Sequence, residues 1–411
     1  MKKNFFTLLF AMAANVGMMN ATGIEVNGIW YLFDNSTKTA TVTYGGSNYN
    51  NNDNYYYGDI TVPSSVSYDG NTYTVTSIGN QAFVGCAGIT SIVLPNTITS
   101  IGKYAFTGCW DLSSINIPNS VTSIGRGAFG GCISFPEEND IRYADTYLIE
   151  ALDKEKSSYT IKTGTRWIGD EAFLGFKNLT SFDIPNGIIE IGFQAFQGCS
   201  SLASVNIPNS VTTIGSGAFW DCTSLTSIDI PNSVTSIGSH AFTNCIFTSF
   251  TIPNSVSNLE ADAFSHCKNL ISITIPNSIT CLEEDLFWDC TNLVSVTIPN
   301  SVTDIKKSAF GECTSLNKIF NYGETPANTY SNAFDGVNKS TCKLYVPQNS
   351  INLYKNAAVW RDFYYIGAVE DVQAIDEVAT DKVQGVKVVR NGKVLIRKGE
   401  KTYTMQGQEA E

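Results

Sequence analysis

The amino-acid sequence predicts a repeat solenoid, and three observations predict it. A phrase of 23 residues, I-G-x-x-A-F-x-x-C-x-x-L-x-S-I-x-I-P-N-S-V-T-x, runs from Ile191 to Thr213 and again from Ile214 to Ser236 with its apolar positions kept. A fixed period of that size marks stacked repeats. The opening residue of the phrase falls at Ile78, Ile101, Ile124, Ile168, Ile191, Ile214, Ile237, Leu259, Leu282 and Ile305, ten rungs spaced by 23 residues apart from one interval of 44 and one of 22. Finally, a lone rung does not close its own balance: about six large apolar side chains contribute ~2 kcal/mol each, whereas ordering each residue costs on the order of 1–2 kcal/mol. Stacking removes the deficit, shares stability between neighbours and requires a cap at both ends.

Within a rung, S-I-x-I-P alternates as a short strand, so Ile228 and Ile230 point inward while Ser227 and Asp229 point outward. Pro231 has no N–H to continue a ladder, and Asn232 tolerates the turn that follows. The segment G-x-x-A-F-x-x-C spaces its apolar residues for a turn of α- or 3₁₀-helix that packs Phe and Cys inward. Each rung thus reads as one strand, one turn and one helical turn.

Taken in order, residues 1–21 carry Lys2 and Lys3, the apolar run FFTLLFAMAA and a small or polar end at Asn20 and Ala21, the pattern of a secretory signal peptide too short to span a bilayer. The first cysteine is Cys86, which does not fit a lipid-anchored lipoprotein. Residues 22–77 lack the template but hold GIWYLFD, TATVTY, DITVPSSVSY and TYTVTSI, punctuated by Gly28, Gly45-Gly46 and Gly70; they read as a β-rich N-terminal cap. The loop from Tyr49 to Asp59 places four tyrosines at that end, where they are expected to cover the first rung. The solenoid is assigned to 78–321. Its long interval, 133–167, contains RYADTYLIEAL and SSYTIKTG joined by the charged DKEK, expected to form a hairpin that replaces the strand of one rung and stands out from the stack. Residues 322–366, with CKLYVP followed by SINLYKNAAVWRDF, read as an α/β C-terminal cap, and 367–411 as an acidic linker and a hairpin-like tail.

The outward strand positions form two ladders, which include Ser181, Ser204, Ser227 and Ser249 in one and Asp183, Asn206, Asp229 and Thr251 in the other. At a strand spacing of about 4.8 Å, ten rungs give a polar sheet of about 50 Å. Such a face suits an extended ligand or a protein partner, and serves equally as a solvated surface. Trp110, Trp220 and Trp288 form a candidate aromatic edge that either stacks on sugar rings or shields the adjoining turn. Asp183 and Asp229 are about 10 Å apart if one rung lies between them, at or beyond the limit for an inverting glycosidase pair. Only two histidines exist, His240 and His266, both at turn positions, and no Ser-His-Asp set, phosphate-cradling loop or metal-spaced cysteine pair is visible. No catalytic residue, cofactor or metal is therefore assigned.

Nine of the eleven cysteines occupy one template slot, with Phe176 in that slot on the fourth rung. Adjacent rungs bring such cysteines within disulfide range, but stacked side chains point the same way and Phe shows that apolar volume suffices, which favours reduced, buried thiols. Where Glu260, Glu283 and Lys306 replace the template glycine, beside Asp262, Glu284, Asp285 and Lys307, either a calcium ion or pairing with the lysines relieves the repulsion; pairing is preferred. A net charge of -12 without a basic stripe excludes nucleic acid as a partner.

The A-F-x-x-C-x-x-L-x-x-I-x-I-P unit resembles the leucine-rich repeats of the BspA-like, Treponema-type family over about residues 25–366. GIWYLFDNSTKTATVTY, YDGNTYTVTSIG and the terminal LYVP…Y…W…F resemble its caps, and NGKVLIRKGEKTYTMQGQE resembles C-terminal sorting tails of Bacteroidetes-type bacteria. The resemblance implies a leucine-rich-repeat horseshoe with parallel strands lining one face, a secreted or outer-surface location and a binding or adhesion role; it supplies no catalytic residues. The expectation is a non-enzymatic binding module for an extracellular protein, as in adhesion to host or matrix protein. The alternatives are a glycan-binding or glycan-cleaving protein and a structural envelope component, and oligomeric state stays open.

Overall fold

The computed structural model describes residues 23–45 and 56–370 in full, and the backbone of the strands Val386–Arg390, Lys393–Lys398, Lys401–Tyr403 and Glu409–Ala410 beyond them. The segment 1–21, expected to be a signal peptide, most of the tyrosine loop and most of the acidic linker lie outside the described residues.

The described chain winds into a β-solenoid of about 13 turns. Each regular turn has three hydrogen-bonded sides. On the first, the two residues ending at the template Ile form a very short strand: Thr213 and Ile214 pair in parallel with Glu190 and Ile191 behind and with Ser236 and Ile237 ahead. The template glycine follows because there is no room for a side chain. A Cβ on Gly238 would lie 2.5 Å from the backbone nitrogen of Ser216 on the preceding rung. Where Glu283 stands in that slot, the strands Asn258–Leu259 and Cys281–Leu282 fall into separate sheets.

The second side corrects the expected helical turn. The fourth and eighth residues of each rung, such as Gln194 (φ 52°) with Gly198 (φ 71°) and His240 (φ 57°) with Asn244 (φ 60°), are left-handed, which a right-handed helix cannot absorb. The reason is hydrogen bonding. Gln194, Phe196 and Gly198 donate their N–H groups along the stack to Ser216, Ala218 and Trp220 at 2.8 Å, while Ala195, Gln197 and Cys199 close local turns three residues back. With the fourth and eighth residues left-handed, every second N–H points toward the next rung, so this side is a ladder as well. Among the described residues, helix is confined to the C-terminal region: Gln348–Ser350, Ile351–Asn356, Trp360–Asp362 and residues 369–370.

The third side carries the expected strand, as in Ser181–Asp183 paired with Ser204–Asn206. It is not one continuous sheet. A three-stranded, a two-stranded and a five-stranded sheet succeed one another; residues 226–230 are outside any strand, and the next rung makes a single bridge, Ser249 to Ser272.

Inside, phenylalanines form a column. Phe173, Phe196, Phe219, Phe242, Phe264, Phe287, Phe310 and Phe334 stack with ring centroids 5.1–5.7 Å apart. The template Ala, Leu and Ile residues pack beside them, fully or nearly fully buried.

Three turns escaped the sequence count, because hydrogen bonds keep the ladder where the template has faded. Gly79, Gly169 and Tyr330 donate to Val42, Leu148 and Ile305 at 2.8, 2.8 and 3.1 Å, as Gly102 does to Ile78. The 133–167 segment therefore does not stand off the stack. Tyr147–Ala151 runs parallel to Trp167–Ile168 as part of a rung, with Ile141–Ala144 folded antiparallel on it, and Ile141, Tyr143 and Leu148 are buried. Tyr147 packs against Phe129 with ring centroids 5.0 Å apart and the planes tilted by 50°, in place of the missing phenylalanine. This rung also divides the interior: one apolar cluster spans Ile29 to Trp167, the other Ile141 to Phe363.

The two ends are sealed by aromatic side chains. Tyr56 packs 4.8 Å from Phe83, and its hydroxyl accepts from Trp30 N and donates to the carbonyl of Thr43. At the far end Trp360 sits 5.5 Å from Phe334 and donates its indole N–H to Ala327, while Tyr354 donates to Gly323. The tail strands Val386–Arg390 and Lys393–Lys398 pair antiparallel, within a four-stranded sheet.

Candidate functional site

The small polar residues singled out on the third side do face solvent. Ser181 lies opposite Ser204 and Asp183 opposite Asn206, fixed by the parallel register, and all four side chains are exposed. Ser227, Asp229, Ser249 and Thr251 are exposed too. The break at 226–230 separates Asn206 from the five-stranded sheet, and the three-stranded sheet lies before Ser181, so the face comprises three polar platforms rather than a single 50 Å sheet.

The tryptophans belong to the second side. Trp110 is 60% exposed. Trp220 stacks on His240 of the following rung at 5.1 Å, and Trp288 meets His266 of the preceding rung edge-on at 4.6 Å. Both half-buried indoles thus cover the left-handed turns of a neighbour. Around them lie charges that the repeat brings together from separate rungs. His266 Nδ1 is 2.8 Å and Lys268 Nζ 3.0 Å from Asp289 Oδ2. Burial pushes the Asp289 carboxyl up, but the bonds from Lys268 and His266 outweigh it and hold it below the ordinary range. Asp262 is raised, chiefly by burial, against the opposing pull of His240 and with repulsion from Asp285 and Glu284. Glu284 pairs with Lys307 at 3.0 Å, and Glu260 accepts from Ser239 N and Asn258 Nδ2. Among the described residues no group of three or more His, Cys, Asp and Glu side chains is placed to hold a metal ion.

All eleven cysteines are free. The template thiols have a partner that the sequence did not suggest. Each from Cys109 onward donates to the carbonyl of the phenylalanine one rung back, as Cys222 Sγ does to Phe196 at 3.2 Å. Burial pushes Cys199, Cys267 and Cys313 up to about 12.

The 133–167 segment borders an open hollow of about 690 Å³ lined by Asn139 and residues 155–160. Lys156 pairs with Asp140 at its edge, and Arg142 with Glu137 and Glu150.

A second groove, which sequence reading missed, lies on the first side. It measures about 330 Å³, and Lys103, Arg126, Asp170, Glu190, Phe193 and Glu260 contribute to its walls. It exists because the rung from Leu148 is 20 residues long. The side chains on either side bridge the shortfall: Asp170 accepts from Gly127 N at 2.5 Å and from Phe193 N at 2.7 Å, and the Arg126 guanidinium lies 3.4 Å from the centre of the Phe193 ring. Burial raises the Asp170 carboxyl against these donors and Arg126. Burial and then the Asp170 charge raise Glu190 to about 7.

No helix among the described residues is long and apolar enough to cross a membrane. No curated protein matches the chain. Among crystal structures, a leucine-rich repeat protein of Bacteroides ovatus is 26% identical, with 84% of this chain and 98% of that one covered and a TM-score of 0.39. A leucine-rich cell surface protein of Faecalibacterium prausnitzii is also 26% identical, covering 74% and 95%, with a TM-score of 0.31. The leucine-rich repeat protein of T. pallidum is 22% identical over 61% and 91%, with a TM-score of 0.28. The family model for the BspA type leucine-rich repeat region matches in six copies at residues 64–141, 153–271 and 235–359. Those spans take in most of the stacked turns and the Ile, Ala-Phe, Cys and Leu slots that the core buries, so the chain belongs to the BspA-type leucine-rich repeat family.

Proposed function

We propose that the chain is a secreted, surface-displayed binding module without catalytic activity, and that its partner is an extracellular protein, as in adhesion to a host or matrix protein. The observation that carries the reading is the exposed register Ser181–Ser204 and Asp183–Asn206 on a rigid parallel ladder. Small polar groups at fixed spacing let a partner approach the backbone closely and lose little side-chain entropy on contact. The family is consistent with binding, and its repeats are typically non-catalytic. The test is saturable binding of residues 22–411 to parallel arrays of matrix proteins and of glycans at physiological salt. Protein binding that falls at least tenfold when Ser204, Asn206 and Asp229 are changed together to alanine supports the reading; release of product from a polysaccharide overturns it. A glycan ligand is the second reading, favoured by the 60% exposure of the Trp110 ring. Binding to glycans alone, abolished by Trp110→Ala, would decide for it.

A further inference from the structure

Of the three carboxylates that line the groove on the first side, the protein itself leaves one without a partner, and Lys103 adds an ammonium that forms no ion pair among the described residues. The other two carboxylates are committed. Both Asp170 oxygens accept backbone N–H groups, Arg126 lies over Phe193, and Glu260 is bonded to Ser239 and Asn258. Glu190 is fixed in register between Trp167 and Thr213, and its half-buried carboxylate lines the groove with no hydrogen bond or ion pair to any described residue. A carboxylate drawn partly out of water beside another carboxylate is unfavourable unless a cation joins it. At about 330 Å³ the groove falls at the small end of ligand clefts, which span ~300–1,000 Å³.

We propose that this groove receives a lysine or arginine side chain presented by a protein partner, with the Glu190 carboxylate as its counter-charge and the Thr213 and Ser236 hydroxyls beside it. Two further observations favour a basic side chain. The Arg126 guanidinium already lies in the same hollow over the Phe193 ring, so the walls suit a cation on a long apolar stem. The chain carries a net charge of -12, which draws basic segments toward it. The inference rests on the reading of the chain as a protein-binding module but names a different side of the stack.

Protonation of Glu190 sets the pH dependence. The groups that face it are Asp170 and Tyr147 from the preceding turns, Arg126 and Lys103 across the groove and Glu260 at its far end, with uncharged Trp167 and Thr213 as strand neighbours. The cation requires the charged form, so binding is expected at pH 8 and lost at pH 5.5.

The experiment is titration of the full chain with acetylated, amidated Gly-Gly-Arg-Gly-Gly and Gly-Gly-Lys-Gly-Gly, with the Gln pentapeptide as control, followed by calorimetry or NMR. Saturable binding of the basic peptides at pH 8, weakened at least tenfold by Glu190→Gln, by Thr213→Lys and by pH 5.5, is the expected result. Equal binding of the Gln peptide, or no effect of Glu190→Gln in a folded variant, overturns the proposal. If the peptides fail to bind while the protein array still gives binding sensitive to Ser204, the groove is refuted and the module reading stands.

Discussion

Cys222 explains why one slot of the repeat holds so small a residue. Its thiol fills the space beside the phenylalanine column and shares the Phe196 carbonyl with the N–H of Cys199, so that both lone pairs are used. Cys222→Ala removes a donor and some volume, and is expected to cost about 1–3 kcal/mol in denaturant unfolding. Because burial holds these thiols far from ionisation, iodoacetamide at pH 8 should leave the template cysteines unlabelled in the native protein and label them after unfolding. Glu190 makes the opposite kind of prediction. Its native carboxyl titrates near 7, above the ordinary carboxylate value, so the native state holds the proton more tightly than the unfolded chain. That contribution is complete at pH 4 and is lost as pH rises toward and past 7, leaving a buried charge uncompensated. Glu190→Gln should therefore raise the melting temperature at pH 8, by a gain of up to about 3 kcal/mol, and leave it unchanged at pH 4. Equal effects at both pH values would place the cause in packing instead.

The turn between strands shows what the sequence did and did not reveal. Its inward residues were legible, since Ala, Phe and Cys recur at fixed spacing and Phe176 shares the cysteine slot. Its backbone was not. Spacings of one and three suit a helical turn as well as they suit a turn with left-handed residues at its fourth and eighth positions, and only the hydrogen bonds to the next rung decide between them. The same limit hid the first-side strands, which are two residues long and too short for any period to mark. Glu190 went unnoticed for that reason: it occupies a slot that varies along the stack, with Ser100, Trp167, Thr213, Asn258, Cys281 and Asp304 as its equivalents, and nothing local signals that a short rung opens a groove beside it. The polar platform, by contrast, was readable from S-I-x-I alone, although its break at 226–230 was not. At the turn, a β-branched residue is the sharpest probe. Gln194→Val places a branched side chain at φ 52°, and should destabilise by about 1–2 kcal/mol, whereas Gln197→Val, outside the left-handed slots, should cost less; circular dichroism melts of the two variants compare them.

At the level of the whole molecule, the rung from Leu148 is the seam. Two apolar clusters meet there: Tyr147 and its strand partner Trp167 belong to the N-terminal one, whereas the next pair, Leu148 and Ile168, belongs to the C-terminal one. Nearest-neighbour stability makes such a seam the weakest link in the ladder. Hydrogen exchange in mild denaturant is expected to show the turns before 147 and those after 168 opening as separate units, and Tyr147→Ala, which removes the ring packed against Phe129, should widen the gap between the two transitions. A single cooperative loss of protection along the whole stack would refute the division. The register that joins one rung to the next also has a genetic consequence. Neighbouring rungs present identical backbone donors and acceptors to each other, so a DNA segment encoding 23 codons can be duplicated or lost by slippage without creating an unpaired edge. Each such event lengthens or shortens the stack by about 4.8 Å, which makes the number of rungs a heritable measure of the distance between the two caps.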